Sequence, residues 1–368
     1  MRSLTYRLSF NTPAFLGNAE QNAQWRTPPF KAMLRQWWRV VKAKEFNYNH
    51  GEMRRAEMRL FGAASGSGNE GSHRSLVRLR LSSWQEGKLP SVSSGDMVQH
   101  VEVPGGKVGA NLYLGYGPIG GLARSAISPE ESANTLTIHC PDQEADDIRK
   151  AMQLAAWFGT LGSRARNGWG SLHIEGEGIK GFAELKIPEL TSVIEPRPLT
   201  ECLDVEWLHA LGCDSTGLPL VWRLLKKGDA KRQLVPFNSW EEVMRELARI
   251  KIQVRTSDFF KFKGGGPGGH PNPQPRHLLA YPAGSQHNVA GWGNNGRLAN
   301  QVLFKVHRHK ASGHEGFAAT IAHFPSRLPR HMAVGRQVPD QVAVWEEVHR
   351  LLDAEKANGL GRIKGAQA

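Results

Sequence analysis

Cysteine is scarce in this chain. Cys140, Cys202 and Cys213 are its three cysteines, with no C-x-x-C spacing, so any disulfide scheme leaves one unpaired and no structural zinc site is visible. That usage argues against a disulfide-stapled secreted scaffold and for a reducing compartment. Long apolar runs are missing too. Nowhere do eighteen apolar residues follow one another, and the opening MRSLTYRLSF lacks a signal core, so a membrane span and export are disfavoured and the cytoplasm is the expected location. HExxH, H-x-E…C-x-x-C, GxSxG and GxxxxGK[ST] are all absent, which leaves zinc-enzyme, hydrolase and nucleotide-driven motor readings without support; no cofactor and no metal are expected. Acidic residues are in deficit. Against 34 Asp and Glu stand 47 Lys and Arg, a formal charge of +13, so an anionic polymer such as RNA or DNA suits the chain better than a small acidic substrate.

What is present fits two domains, since 368 residues with 40% apolar content exceed one small core. Leu4, Tyr6, Leu8 and Phe10 alternate with polar residues as in a half-buried strand. From Pro28 to Lys42, Phe30, Met33, Leu34, Trp37 and Val41 fall within about 100° of arc, which predicts an amphipathic helix with its prolines in the first turn. Strands are expected over Ser75 to Leu81 and Thr135 to Cys140, with a glycine-rich insertion between them. A helix from Gln143 to Phe158 and a strand from Ser171 to Glu175 complete the set. The order strand, helix, strand, strand, helix, strand is that of a ferredoxin-like or RRM-like domain over residues 1–185.

Residues 186–203 carry proline and little pattern, and are expected to be a linker. A second domain of similar class is expected over 204–358, with helices from Trp240 to Ile252 and Val338 to Glu355 and strands from Gln301 to His307 and Phe317 to Phe324. The fold class is thus α+β, two tandem ferredoxin-like domains with loop insertions. Residues 264–296, with GGGPGG and GWGNNG, hold too many breakers for regular structure and read as a mobile loop or one ordered by a partner. A flexible tail is expected over 359–368.

Three constellations suit a polyanion. The first is the loop Gly162, Ser163, Arg164, Ala165, Arg166, Asn167, Gly168, Trp169, Gly170, between a predicted helix and strand. Glycine lets main-chain amides come close to a ligand, and the arginine fork matches phosphate oxygens; a tight connection with solvated arginines is the alternative. The second lies on the first helix, where Lys31, Arg35, Trp38 and Lys42 form a stripe beside the core stripe, with Arg39 further round. Cations that track a backbone beside an indole that stacks on a base suit single-stranded nucleic acid, and a solvated basic face with Trp38 packed under a loop is the alternative. The third is residues 251–310, nine Lys or Arg against Asp258, where Lys261, Lys263, Arg276, Arg297, Lys305 and Arg308 would be the cations and Phe259, Phe260, Tyr281 and Trp292 the stacking faces.

Fifteen histidines invite a metal or ribonuclease reading, through His307 and His309 on one strand face or His277 near Tyr281, but metal-ligand spacing is missing. The rival function is a metal-independent endoribonuclease, with His139 or His173 as acid or base near the glycine loop. A scaffold touching protein subunits alone is a third reading.

Three segments together resemble the RAMP superfamily of CRISPR-associated RNA-binding proteins, and in it the first RAMP subunit of type III-B Cmr effector complexes. TPAFLGNAEQ followed by WRTPPFKAMLRQWWRVV resembles the opening signature, with Leu34, Arg35, Trp37, Trp38 and Arg39 at its L-R-x-W-W-R helix positions. LYLGYGPIGG at 112–121 resembles an aromatic-glycine loop, and LGSRARNGWGSL the glycine-rich loop between last helix and last strand. RLANQVLFKV at 297–306 is similar to a C-terminal RAMP repeat. The resemblance implies paired RRM-like domains without catalytic residues, at the end of a protein filament on guide RNA. Arg35, Arg39, Arg164 and Arg166 would contact phosphates of the guide or of target RNA paired to it, and other Cmr subunits would be neighbours.

Overall fold

The structure is a computed structural model, described here for residues 1–63, 72–122, 124–228, 233–266, 269–283, 285–292, 296–311 and 314–363. The first half begins with β1 (Arg2–Phe10), α1 (Thr27–Lys42), α2 (His50–Phe61) and β2 (Arg78–Leu81). After an insertion come β3 (Asn134–Cys140), α3 (Ala145–Phe158) and β4 (Leu172–Glu175). The strands form one antiparallel sheet in the order β2-β3-β1-β4, with Leu4 opposite Ile138 and Leu8 opposite Ile174. The alternation read from the sequence sets that register, because Leu4, Tyr6, Leu8 and Phe10 must all face one side to be buried.

The second half repeats the plan with β5 (Val221–Leu224), α4 (Trp240–Thr256), β6 (Val302–Ala311), β7 (His314–His323), α5 (Gln341–Ala354) and β8 (Leu360–Arg362). Its sheet is antiparallel in the order β6-β7-β5-β8, so second, third, first and fourth strands lie side by side in both sheets. The molecule is therefore mixed α and β. Among the described residues, no helix is long and apolar enough to cross a membrane.

The two halves stack as four layers: first sheet, α1 with α3, second sheet, α4 with α5. One core joins Leu8, Trp37 and Ile148 to Val221 and Ala322 of the second sheet. The other joins Trp222, Phe304 and Ile321, from the opposite face of that sheet, to Leu247 and Val348. Period-two alternation thus splits each strand of the second sheet between two cores. Helix α3 lies between the sheets and is buried on every side from Ala151 to Phe158, the condition under which a helix is apolar all round.

Three expectations about the chain's punctuation need correction. The 186–203 linker is not a bare tether: Leu190 and Ile194 are buried in the first core and Leu199 and Cys202 in the second. The expected tail begins instead with β8, whose Leu360 pairs with Leu224; residues 364–368 lie outside the described residues. In the 264–296 segment the described part is packed rather than loose, with His277, Tyr281 and Trp292 buried and Gln274 and His277 hydrogen-bonded reciprocally across a short 3-10 turn. Rings supply the ordering that backbone periodicity does not; residues 267–268, 284 and 293–295 of that segment are outside the described residues.

Candidate nucleic-acid interface

The glycine loop is built from its glycines inward. Gly162 has φ +96°, and a Cβ there would come within 2.6 Å of the Phe15 carbonyl oxygen. Gly170 has φ +59°, with a Cβ only 1.9 Å from the Leu161 carbonyl oxygen. Both glycines therefore bring the loop against its own protein rather than against a ligand. Amides follow suit: Ser163 N–H donates to Phe15 O (3.0 Å) and Gly170 N–H to Pro13 O (3.0 Å), while Gly168 N–H closes a turn on Ala165 O (3.0 Å). Trp169 is wholly buried, edge-on to Trp240 of α4. Asn167 staples three parts of the fold, donating through Nδ2 to Leu114 O (2.8 Å) and accepting from Lys251 Nζ (2.6 Å).

What the loop offers outward is Arg164, Ala165 and Arg166. Arg164, at φ +58°, is exposed and turns back to donate from Nε to Tyr116 O (2.7 Å), in the aromatic-glycine segment. Arg166 turns the other way, donating to Asn300 O (3.2 Å), and burial lowers its pKa from the ordinary arginine value. The two arginines thus serve different surfaces.

The cationic stripe of α1 is spent within the fold. Arg35 and Arg39 both pair with Glu57 of α2, a carboxylate only 1% exposed; Arg39 reaches it at 2.5 and 2.7 Å. Lys42 is held by Asp147 (2.9 Å) and Glu45; burial works to lower its pKa, yet hydrogen bonds from both carboxylates leave it raised. Lys31 donates to Ser75 Oγ (2.9 Å), and desolvation together with Arg35 lowers its pKa. Trp38 is 2% exposed and meets Phe61 edge-on, so it is a core residue and not a stacking face. Helix α2, unread in the sequence, is the reason. Its signal was present in Asn49, an N-cap residue whose side chain accepts from Glu52 N–H (3.1 Å).

The glycine loop meets α1 not at Lys31, Arg35 and Trp38 but along another edge of the helix. A cleft of about 660 Å³ runs between Gln36, the loop at Arg166, and the second half at Arg297, Arg327 and Arg330, with Trp207 on its wall. A second depression of about 340 Å³, which shares Gln36, Arg166 and Leu208 with it, continues past Ala32, Gly162 and Ala165. Four arginines line the larger cleft against one carboxylate, Glu206, which pairs with Arg327. Such an excess of fixed positive charge on low-dielectric walls attracts a polyanion. Trp207, Arg327 and Arg330 escaped sequence reasoning because they come from separate irregular segments with no shared period.

The third constellation does not form one surface. Arg276 is 7% exposed and bound by Glu102 through two contacts of 2.7 Å. Lys305 is 1% exposed, donates to the Ala155 and Ala156 carbonyls at 2.7 Å each, and has its pKa driven well down by burial. Phe260, Tyr281 and Trp292 are buried too; Arg297 alone of the residues expected to bind there reaches the cleft, while Phe259 stays exposed. His307 and His309 share a strand face, as expected, but they pack against Phe182. Among the described residues no three His, Cys, Asp or Glu side chains stand where they could hold a metal.

The outward face of the first sheet carries Thr5, Arg7, Arg80, Thr137 and His139, and its described strand residues place no Phe, Tyr or Trp there. The corresponding face of the second sheet is closed by α3. Base stacking on a sheet surface, the RRM mode, therefore lacks a platform of these large rings. On the open face Ser3 pairs with His139 and Ser9 with His173, which sets the two histidines about 20 Å apart along β1, too far to share one phosphodiester. His173 lies 3.2 Å from Glu175, and its pKa is lowered by burial against the opposing pull of that carboxylate.

A repeated α+β protein with a basic cleft between its halves is what fold and surface define. Residues 7–173 match the family model described as the RAMP superfamily. In shape the chain is similar to the crystal structure of Cmr1 from Pyrococcus furiosus in its apo form, at 14% identity over 100% of both chains with a TM-score of 0.46. It is also similar to a chain of the type III-B Cmr-beta cryo-EM structure bound to cognate target RNA and AMPPnP in the presence of ssDNA, at 12% identity over 95% of this chain and 98% of that one, TM-score 0.41. Among curated protein sequences no match is found.

Proposed function

We propose that this chain is a non-catalytic RNA-binding subunit of a type III, Cmr-type CRISPR effector complex, and that each half is a ferredoxin-like domain of the RAMP kind. The observation that carries the reading is the cleft in which Arg166, Arg297, Arg327 and Arg330 converge beside α1, in a chain whose residues 7–173 match the RAMP superfamily model. Guide RNA, target RNA paired with it, or both would lie there near one end of the filament, with other Cmr subunits adjoining, in the cytoplasm. Phosphate contacts position such a strand without reading its sequence, which suits a subunit that must accept any guide.

Binding of labelled guide RNA to the purified chain, measured by filter retention across a salt series, tests this. Arg166→Ala and Arg330→Ala should each weaken binding and flatten the salt dependence by about one unit of slope per lost phosphate contact. Arg164→Ala, which faces the aromatic-glycine segment, should do less. Equal affinity and equal slope in the first two variants would overturn the assignment of the cleft. Specific cleavage of repeat RNA in EDTA that vanishes in His173→Ala would replace it with the ribonuclease reading.

A further inference from the structure

Nine of the eleven tryptophans are buried, and the two exposed ones are Trp84 at 54% and Trp207 at 39%. Of that pair, Trp207 lines the arginine cleft and Trp84 does not. Its indole is held from the side of α1 and α2. The Arg39 guanidinium lies 4.9 Å from the ring centroid and the His50 ring 3.8 Å, and Arg39 is itself fixed by the buried Glu57. The neighbouring Glu206 is tied to Arg327 and lies 3.6 Å from His50, so the segment carrying Trp207 is anchored at the residue before it.

A large apolar ring kept rigid at the edge of water, beside arginines that are not all neutralised, has the two parts a nucleotide needs. One is a flat face for a base; the other is charge for the phosphates on either side. Rigidity matters because a fixed indole loses little conformational freedom when a base settles on it. We propose that Trp207 is a stacking shelf for one unpaired nucleobase, with Arg166 and Arg330 holding the flanking phosphates. The ligand class is single-stranded RNA, or the unpaired end of a duplex, since a base inside a duplex has both faces covered by its neighbours. This rests on the RNA-binding reading above and narrows it from a charged surface to a site that prefers unpaired nucleotides.

Fluorescence anisotropy with a labelled single-stranded RNA and the same RNA in a duplex, on the whole chain, tests the shelf. Trp207→Ala should weaken single-strand binding by about thirtyfold, the middle of the range for a base stacked on an aromatic ring, and leave the salt slope unchanged because no phosphate contact is lost. Trp207→Phe, which keeps a ring and guards against a folding defect, should retain most of the affinity, and Trp84→Ala all of it. Duplex binding should hardly respond. The shelf is overturned if Trp207→Ala binds single strands like the parent chain, or if it loses single strands and duplex alike. If the parent chain binds neither RNA better than other basic proteins do, the RNA-binding reading fails with it.

Discussion

Arg164 and Arg166 are two residues apart and serve different walls of the molecule, because a left-handed residue between a helix and a turn reverses the direction of the chain. Side-chain direction, and not spacing, decides which cation belongs to the cleft. The same holds for glycine. At Gly170 the backbone lies so close to the Leu161 carbonyl that any side chain must displace it, and the positive φ adds strain of its own. Gly170→Ala should therefore destabilise the fold by at least about 2 kcal/mol. Urea denaturation followed by tryptophan fluorescence measures this, and an unshifted midpoint would show that the loop can relax around a methyl group.

Among elements, α2 governs more of the surface than its length suggests. By bringing Glu57 under α1 it pairs Arg35 and Arg39 with a carboxylate and, through Arg39, backs Trp207. Glu57→Ala leaves two guanidinium groups without their carboxylate, and a broken buried pair is costly. The expected loss is about 3 kcal/mol, at the low end for such a change because both arginines keep partial access to water. A urea midpoint equal to that of the parent chain would show that the pair contributes nothing net. Helix α3 works differently. Its last turn lies under the second sheet, and the carbonyls of Ala155, which also accepts from Gly159 N–H, and Ala156 both accept from Lys305. The lysine that composition offers to RNA is thus the cap that joins the two halves.

At the scale of the whole molecule, packing takes histidines in several parts of the fold out of water. His209 and His323, each 1% exposed, and His277, fully buried, all have their pKa lowered by burial, to about 3, about 3 and about 4. Folded-state values below the ordinary 6.5 mean that the unfolded chain takes up protons first as the pH falls. Stability is therefore full above about pH 6.5 and is lost on acidification, at about 1.4 kcal/mol per pH unit for each histidine. Urea midpoints at pH 7.5, 6 and 5 should drop with growing steepness. A flat profile would mean that these rings are not held neutral in the core.

The amino-acid sequence by itself determined the four sheet strands and the helices α1 and α3 of the first half, the excess of positive charge and the resemblance to RAMP proteins. Those follow from local periodicity, composition and backbone restriction, which neighbours along the chain settle. Which cations remain free for a polyanion was decided only by tertiary structure. Periodicity says that Lys31, Arg35 and Trp38 share an edge of a helix, but not that α2 covers that edge. It says that Lys305 lies on a strand, but not that the carbonyl end of α3 lies across it. The cleft residues Trp207, Arg327 and Arg330 come together for the same reason: burial of two sheets against one layer of helices brings distant, unpatterned segments to a single rim.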